Sequence, residues 1–198
     1  MNPVYPQVST SADLLNSTIR LESLIPFLQH QQATSVAITN KRLYGVLPFY
    51  QMVKKAGLHP VIGLTCRIEI NEENNADVQL YAKSTIGYQN LLKISSALEV
   101  KALSALPLKW LQAYKQDCLV VVSMPTQSSL ESMKIVLDTL KNSIGSHLLG
   151  GIERPGGIVD RQENDFISLC EERQIRLMAT HQAKYVAAKD AFAYEVAQ

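Results

Sequence analysis

Chemistry on a bound substrate needs imidazoles, thiols or carboxylates that converge, and few residues of this chain are spaced to do so. The four histidines, His30, His59, His147 and His181, are scattered, with no two close in sequence. Cys66, Cys118 and Cys170 lie far apart, so neither a CxxC pair nor a Cys/His pair has zinc spacing. Reduced thiols are the simplest account of them. No G-x-G-x-x-G, Walker-type loop, HExxH or GxSxG stretch is present. Glu72 and Glu73 fit a solvated turn. Lys54 and Lys55 fit a helix end, where they complement the dipole. Trp110, within Pro107–Leu111, fits packing better than stacking on a base. These patterns alone define an α/β domain and no more.

The elements that would position any site follow from the hydrophobic pattern. Strand-like runs rich in Val, Ile and Thr fall at Val4–Val8, Thr34–Thr39, His59–Ile70, Asp77–Ala82, Cys118–Ser123, Leu148–Ile152 and Ile175–Ala179. Several are apolar on both faces, as in a covered sheet. Helical spacing is seen over Ile19–Gln29, with Ser17 or Thr18 as N-cap, and over Leu43–Ala56, where Val46, Leu47, Tyr50 and Val53 share a side and Gly57 stops the helix. Three more such stretches are Ser84–Leu98, Ser128–Leu140 and Asp165–Arg173. Strands alternating with helices predict a mostly parallel sheet. Asn71–Asp77 has the polar composition of a hairpin turn, and Arg154–Val159 is a Pro/Gly loop.

The chain has 198 residues, 46% hydrophobic and 19% charged. At about 150 residues per domain, one domain is expected, large enough to bury a core without disulfides. Such a composition excludes a disordered, collagen-like or disulfide-scaffold chain. The formal net charge is +1. That gives no support for direct nucleic-acid binding by this stretch, because phosphate binders carry a marked basic excess. No apolar run approaches the roughly 20 residues of a membrane span, and the N-terminus lacks a signal-peptide pattern. A soluble cytoplasmic protein is expected.

Several segments, in order along the chain, resemble the N-terminal PHP (polymerase and histidinol phosphatase) domain of the bacterial DNA polymerase III alpha subunit. Leu43–Tyr50 (LYGVLPFY) and Lys54–Gly63 (KKAGLHPVIG) are similar to the family's N-x-Y-G-A-x-E-F-Y and K-K-A-G-I-K-P-I-I-G. Gly87–Ser96 (GYQNLLKISS) resembles G-Y-x-N-L-x-K-L-S-S. Ile175–Thr180 and Lys184–Val186 resemble I-P-L-V-A-T-N-D-x-H-Y-L, and Ala191–Gln198 resembles the helix that follows. The similarity looks closest to the alpha subunits of Gram-positive bacteria. It implies a distorted (β/α)7 barrel with its chemistry at the strand C-termini. Residues 1–198 would form a single PHP domain, a fragment of a longer polymerase chain whose last barrel elements are missing.

Where the family gathers metal ligands, this sequence departs from it throughout. The family's H-x-H-S-x-x-S-x-x-D-G falls on Gln7–Ser17, placing Gln7 and Ser9 at the two histidines and Asn16 at the aspartate. Its T-D-H-G falls on Thr39–Arg42, with Lys41 at the histidine. A glutamate position falls on Thr65 and a cysteine position near Pro125. The final N-D-x-H falls on His181–Lys184, so Gln182 and Lys184 stand at its ligands. Neutral amides and hydroxyls are weak ligands for divalent ions, and an ammonium has no lone pair to offer and repels a cation. The resemblance therefore implies a degenerate site, with no catalytic residue, no metal and no cofactor, whose lysines and amides form an internal polar network.

Three functions follow as expectations. The first is a structural and interaction module of the replicative polymerase. Its partners would be the polymerase domains of the same chain and other replisome subunits, with DNA gripped mainly elsewhere and no membrane contact. The second is a metal-dependent phosphoesterase or 3'-5' proofreading exonuclease, as intact PHP domains are thought to be. The third is a stand-alone PHP-like protein that binds an anion through Lys41, Arg42 and Lys184.

Overall fold

The computed structural model describes residues 3–14, 16–124, 128–154, 157–159, 161–187 and 190–196. These residues fall into two compact units, one formed by residues 1–64 with 181–198 and the other by residues 65–180.

In the first unit, β1 (Val4–Val8), β2 (Ser35–Ile38) and the start of β3 (His59–Glu69) run parallel in that order. Two helices make the connections, α1 (Leu21–His30) and α2 (Val46–Lys55). The α1 stripe buries Leu24 and Leu28. Its N-terminus departs from expectation. Arg20 occupies the cap without a side-chain bond, because the Ser17 hydroxyl is used elsewhere. In α2 the buried face is Val46, Phe49 and Val53, so Leu47 (66% exposed) and Tyr50 (40%) point outward, contrary to the stripe expected from sequence. Val46, Phe49 and Val53 are spaced i, i+3, i+7 and Val46, Tyr50 and Val53 i, i+4, i+7, both helical, and burial of the bulky Phe49 decides between them. Gly45 precedes α2 with φ +74°, and a Cβ there would meet the Ala12 Cβ at 2.8 Å, so both backbone and space call for glycine. The segment after residue 180 returns to this unit and ends in α7 (Ala191–Val196).

In the second unit the strand order is β3, β4 (Asn75–Ala82), β6 (Cys118–Ser123), β7 (Leu148–Ile152) and β8 (Arg176–Ala179), with the two-residue β5 (Leu106–Pro107) beside β3. The β4–β6 pair is antiparallel; β6–β7 and β7–β8 are parallel. The expected polar turn is present, held by Ile70 N donating to the Asn74 carbonyl and by the Asn71 side chain accepting from Asn74 N. Val120, Val121 and Val122 are all buried, as a strand covered on both faces requires.

Helices α3 (Thr85–Val100), α4 (Leu108–Tyr114), α5 (Leu130–Ile144) and α6 (Glu163–Glu172) complete this unit. Ser84 caps α3 by accepting from Ile86 N and Gly87 N, and Ser129 caps α5 by accepting from Ser132 N. Of the apolar face expected on α3 (Tyr88, Leu91, Leu92 and Leu98), Leu91 and Leu98 are buried, Tyr88 is half-buried and Leu92 is 40% exposed, with Ile94 buried in its stead; on α5 the expected Met133, Val136, Leu137 and Leu140 are all buried. Among the described residues no helix is long and apolar enough to cross a membrane.

Candidate functional site

The first unit brings together most of the positions singled out by sequence, at the carboxyl end of β1. Ser9 N donates to the Ala183 carbonyl (3.1 Å) and Ala183 N to the Gln7 carbonyl (3.0 Å), laying the segment around Ala183 parallel to that strand end. On the neighbouring strand, Thr39 N donates to the Val8 carbonyl (2.9 Å). Residues 7–10, 39–42 and 181–184 thereby meet, as expected of a parallel sheet that carries its site at strand ends.

Hydrogen bonds within the chain fill this place. Gln7 and Ser9 are buried, and Gln182 Nε2 reaches Ser9 Oγ at 3.5 Å. The Ser17 hydroxyl contacts two carbonyls, those of Ser9 (2.7 Å) and Lys184 (2.9 Å), and accepts from Ile19 N (3.1 Å). Thr18 N also donates to the Lys184 carbonyl (3.0 Å). Asn40, 1% exposed, accepts from Thr10 N (2.8 Å) and donates to Thr10 Oγ1 (3.0 Å) and to the Tyr44 carbonyl (3.2 Å). Asn40, Thr10 and Ser17 were not singled out as site residues by sequence. Their polar types within the two aligned stretches were the only available signal, because their partners lie far along the chain.

The other predicted positions are placed as follows. Asn16 turns into its own loop, its amide donating to the Leu14 carbonyl (2.9 Å) and to Asp13 Oδ1 (3.3 Å). Lys41 is exposed, and its backbone N–H donates to Asp13 Oδ2 (3.0 Å). Arg42 directs Nη1 to the Lys41 carbonyl (2.8 Å). Lys184 donates Nζ to the Tyr194 hydroxyl (2.6 Å) and stands 5.1 Å from that ring's centroid, a cation–π arrangement. Of the three cations considered for an anion, Arg42 and Lys184 thus direct their charged groups to different partners. Thr65 lies on β3 in the second unit. Pro125 lies outside the described residues.

This donor set does not fit the metals that an intact site of this kind would hold. The residues at the positions where the resemblance expects ligands offer amides, hydroxyls and ammonium groups; Gln182 reaches Ser9, and Lys184 bonds Tyr194. Among the described residues no three His, Cys, Asp or Glu side chains gather where an ion could sit. The three cysteines are buried and unpaired with each other. Burial pushes the Cys118 and Cys170 thiols up to about 11, away from the reactive thiolate. In the second unit the Glu163 carboxylate, 1% exposed, forms a forked ion pair with Arg154, whose hydrogen bonds hold its pKa below the usual range.

The chain is similar to known proteins. The model of the PHP domain family matches residues 7–150. The chain is 37% identical over 124 residues to the DNA polymerase III subunit alpha of Bacillus subtilis, covering 61% of this chain and 11% of that protein. Against the same subunit of Campylobacter jejuni it is 30% identical over 219 residues, covering 94% of this chain and 18% of the relative. The chain therefore spans between a tenth and a fifth of the length of these relatives. Among solved structures it resembles a Chromobacterium violaceum amidohydrolase with bound sulfate and no metal (TM-score 0.64, 7% identity, 100% and 97% of the two chains). It also resembles a proposed metal-dependent phosphoesterase from Bifidobacterium adolescentis (TM-score 0.60, 9% identity, 93% and 87%). At such low identity these two likenesses show the fold alone. The expected α/β PHP fold and the expected relation to polymerase III alpha are both borne out.

Proposed function

The chain belongs to the PHP domain family, and on that premise we propose that it is a metal-free PHP domain serving as a structural module of a DNA polymerase III alpha chain. Template-directed synthesis would belong to other domains of that chain, as would the principal grip on DNA. The whole of residues 1–198 would act as this one module, in the cytoplasm, with the polymerase domains of the same chain as its immediate partners and further replisome subunits beyond them.

One observation carries the reading: polar groups at three of the family's ligand positions, Ser9, Gln182 and Lys184, are engaged within the chain. Ser9 is bonded by Gln182, and the Lys184 ammonium is held by Tyr194. An incoming divalent ion would have to break these bonds, meet an ammonium at close range, and accept neutral oxygens as ligands. A hydrolytic PHP site needs the opposite, anionic and imidazole donors around an ion that activates water.

The test is metal analysis of the purified chain after incubation with zinc or manganese, combined with a phosphodiester hydrolysis assay. Substoichiometric metal, no hydrolysis above buffer and an unfolding temperature unchanged by chelator are expected. Stoichiometric metal with metal-dependent hydrolysis would refute the reading in favour of a phosphoesterase or exonuclease.

A further inference from the structure

The charge of this chain is unevenly distributed. Residues 83–115 hold five lysines (Lys83, Lys93, Lys101, Lys109 and Lys115) against a single acid, Glu99. That stretch has a net charge of +4 within a chain of +1, so the remainder is slightly acidic. It also contains the only tryptophan, Trp110.

The fold brings Lys93, Lys101, Trp110 and Tyr114 of this stretch together on α3, its C-terminal end and α4. Helices α3 and α4 pack together, and two cation–aromatic rungs join them. Lys101 Nζ stands 4.9 Å from the Trp110 ring centroid and Lys93 Nζ 5.2 Å from that of Tyr114. Trp110 and Tyr114 are one turn apart on α4, with centroids 5.8 Å apart and planes at 42°. Both rings are partly exposed, and Lys93, Lys101 and Lys109 are exposed. At about 1.5 Å per residue, Lys93 and Lys101 lie about 12 Å apart along α3. Counting Asp117 beside the stretch as well as Glu99 within it, five lysines face two acids and the region stays net positive. Asp117 accepts a hydrogen bond from Ser84 (2.6 Å), and Lys115 is tied to the Ser143 carbonyl.

We propose that this α3–α4 edge binds single-stranded nucleic acid. Each nucleotide of a single strand offers a phosphate and an unpaired base, and the edge offers ammonium groups beside tilted aromatic rings that can take them in pairs. A duplex hides its base faces, and an acidic peptide has no flat π-system for the rings. Lys54 over Tyr50 on α2 is a cation–π pair in the first unit without a second rung, which makes it an internal control. This inference does not rest on the state of the metal-ligand positions.

Titration of the chain with a fluorescein-labelled oligothymidylate at 50 mM salt tests it. Anisotropy reads binding, and quenching of Trp110, the sole indole, reads stacking. Dissociation constants of about 10⁻⁴ to 10⁻⁶ M are expected for sequence-independent binding. Three or four neutralised phosphates give a log–log salt slope between about −2 and −3. The double change Lys93→Glu with Lys101→Glu should weaken binding at least tenfold. Lys109→Glu, which is outside both rungs and leaves the packing alone, should weaken it severalfold. Lys54→Glu with Lys55→Glu should leave it unchanged. Absence of binding, binding without Trp110 quenching, equal affinity for duplex, or equal quenching by polyglutamate would each overturn the proposal, the last by assigning the edge to an acidic peptide.

Discussion

Replacing Asn40 by alanine should destabilise the chain far more than its single amide suggests. The side chain makes three hydrogen bonds from a position 1% exposed. Alanine removes the acceptor of Thr10 N–H, a residue 3% exposed, and the donor to the Tyr44 carbonyl. A buried donor left unsatisfied costs about 1–3 kcal/mol. The Tyr44 carbonyl is only partly buried and water can reach it, so it adds about 0.5–1 kcal/mol. The Thr10 hydroxyl only accepts from the amide, keeps its own O–H free to donate, and adds little. The sum is about 1.5–4 kcal/mol, which with a slope of roughly 2 kcal/mol per molar urea moves the unfolding midpoint by about 0.75–2 M.

Asn40→Asp provides the matched control, and it installs the residue that the family motif has at this position. When protonated, its carboxyl can donate to the Tyr44 carbonyl much as the amide does. When ionised, it sets a buried charge against that carbonyl, so the folded-state pKa rises above the unfolded value of about 3.9. A raised folded pKa gives stability that is present at acid pH and lost as pH rises through it. The variant should therefore approach the parent at low pH and fall below it at neutral pH. Urea unfolding followed by circular dichroism measures both. An Asn40→Ala loss under about 0.5 kcal/mol, or a pH-independent Asn40→Asp, would refute the hydrogen-bond account.

A Cβ on Gly87 would stand 2.2 Å from the Asp117 carbonyl oxygen, so Gly87→Ala must push α3 back and should cost about 3 kcal/mol or more. Gly57→Ala has open space but a φ of +79°, and should cost only about 1–2 kcal/mol; thermal unfolding ranks the two. Cys118 and Cys170, buried and with pKa about 11, should resist iodoacetamide at pH 8 in the native chain and react in urea, as mass spectrometry would report. The Arg154–Glu163 pair depresses the carboxyl pKa, so its stabilisation is present above the unfolded glutamate value and is lost as pH falls through the folded one. The difference in unfolding temperature between the parent and Arg154→Met should accordingly shrink on acidification.

Strands were legible in the sequence because Val, Ile and Thr runs such as Cys118–Ser123 have few other stable conformations. Helical faces were less so. On α2, Leu47 and Tyr50 suit an apolar stripe as well as Phe49 does, and only contacts from distant residues choose between them. Helix α4 went unassigned, since seven residues show too little of a period. Ser17 looked like an N-cap because caps are local, whereas its carbonyl partner Lys184 is 167 residues away. Sequence alignment gave the positions Gln7, Ser9 and Gln182. It could not give Asn40 its role, which depends on Thr10 thirty residues earlier.

The long-range bonds of Ser17 and Asn40 bear on how the fold would keep its shape on the proposed metal-free reading. An ion at the strand ends would tie the segments after β1, β2 and β8 through a few strong bonds, all lost together when the ion leaves. Here the same kinds of segment are tied by many weaker ones. Ser17 bridges the carbonyls of Ser9 and Lys184, Asn40 clasps Thr10, and Ala183 is laddered between Gln7 and Ser9. The Lys184 ammonium supplies a fixed positive charge, satisfied by the Tyr194 hydroxyl and ring face. A typical neutral hydrogen bond contributes only about 1 kcal/mol net, so several are needed, and none depends on metal supply. On the proposed structural role that arrangement is an advantage, since stability would stay constant when metal levels change and the loss of any one bond would be partial.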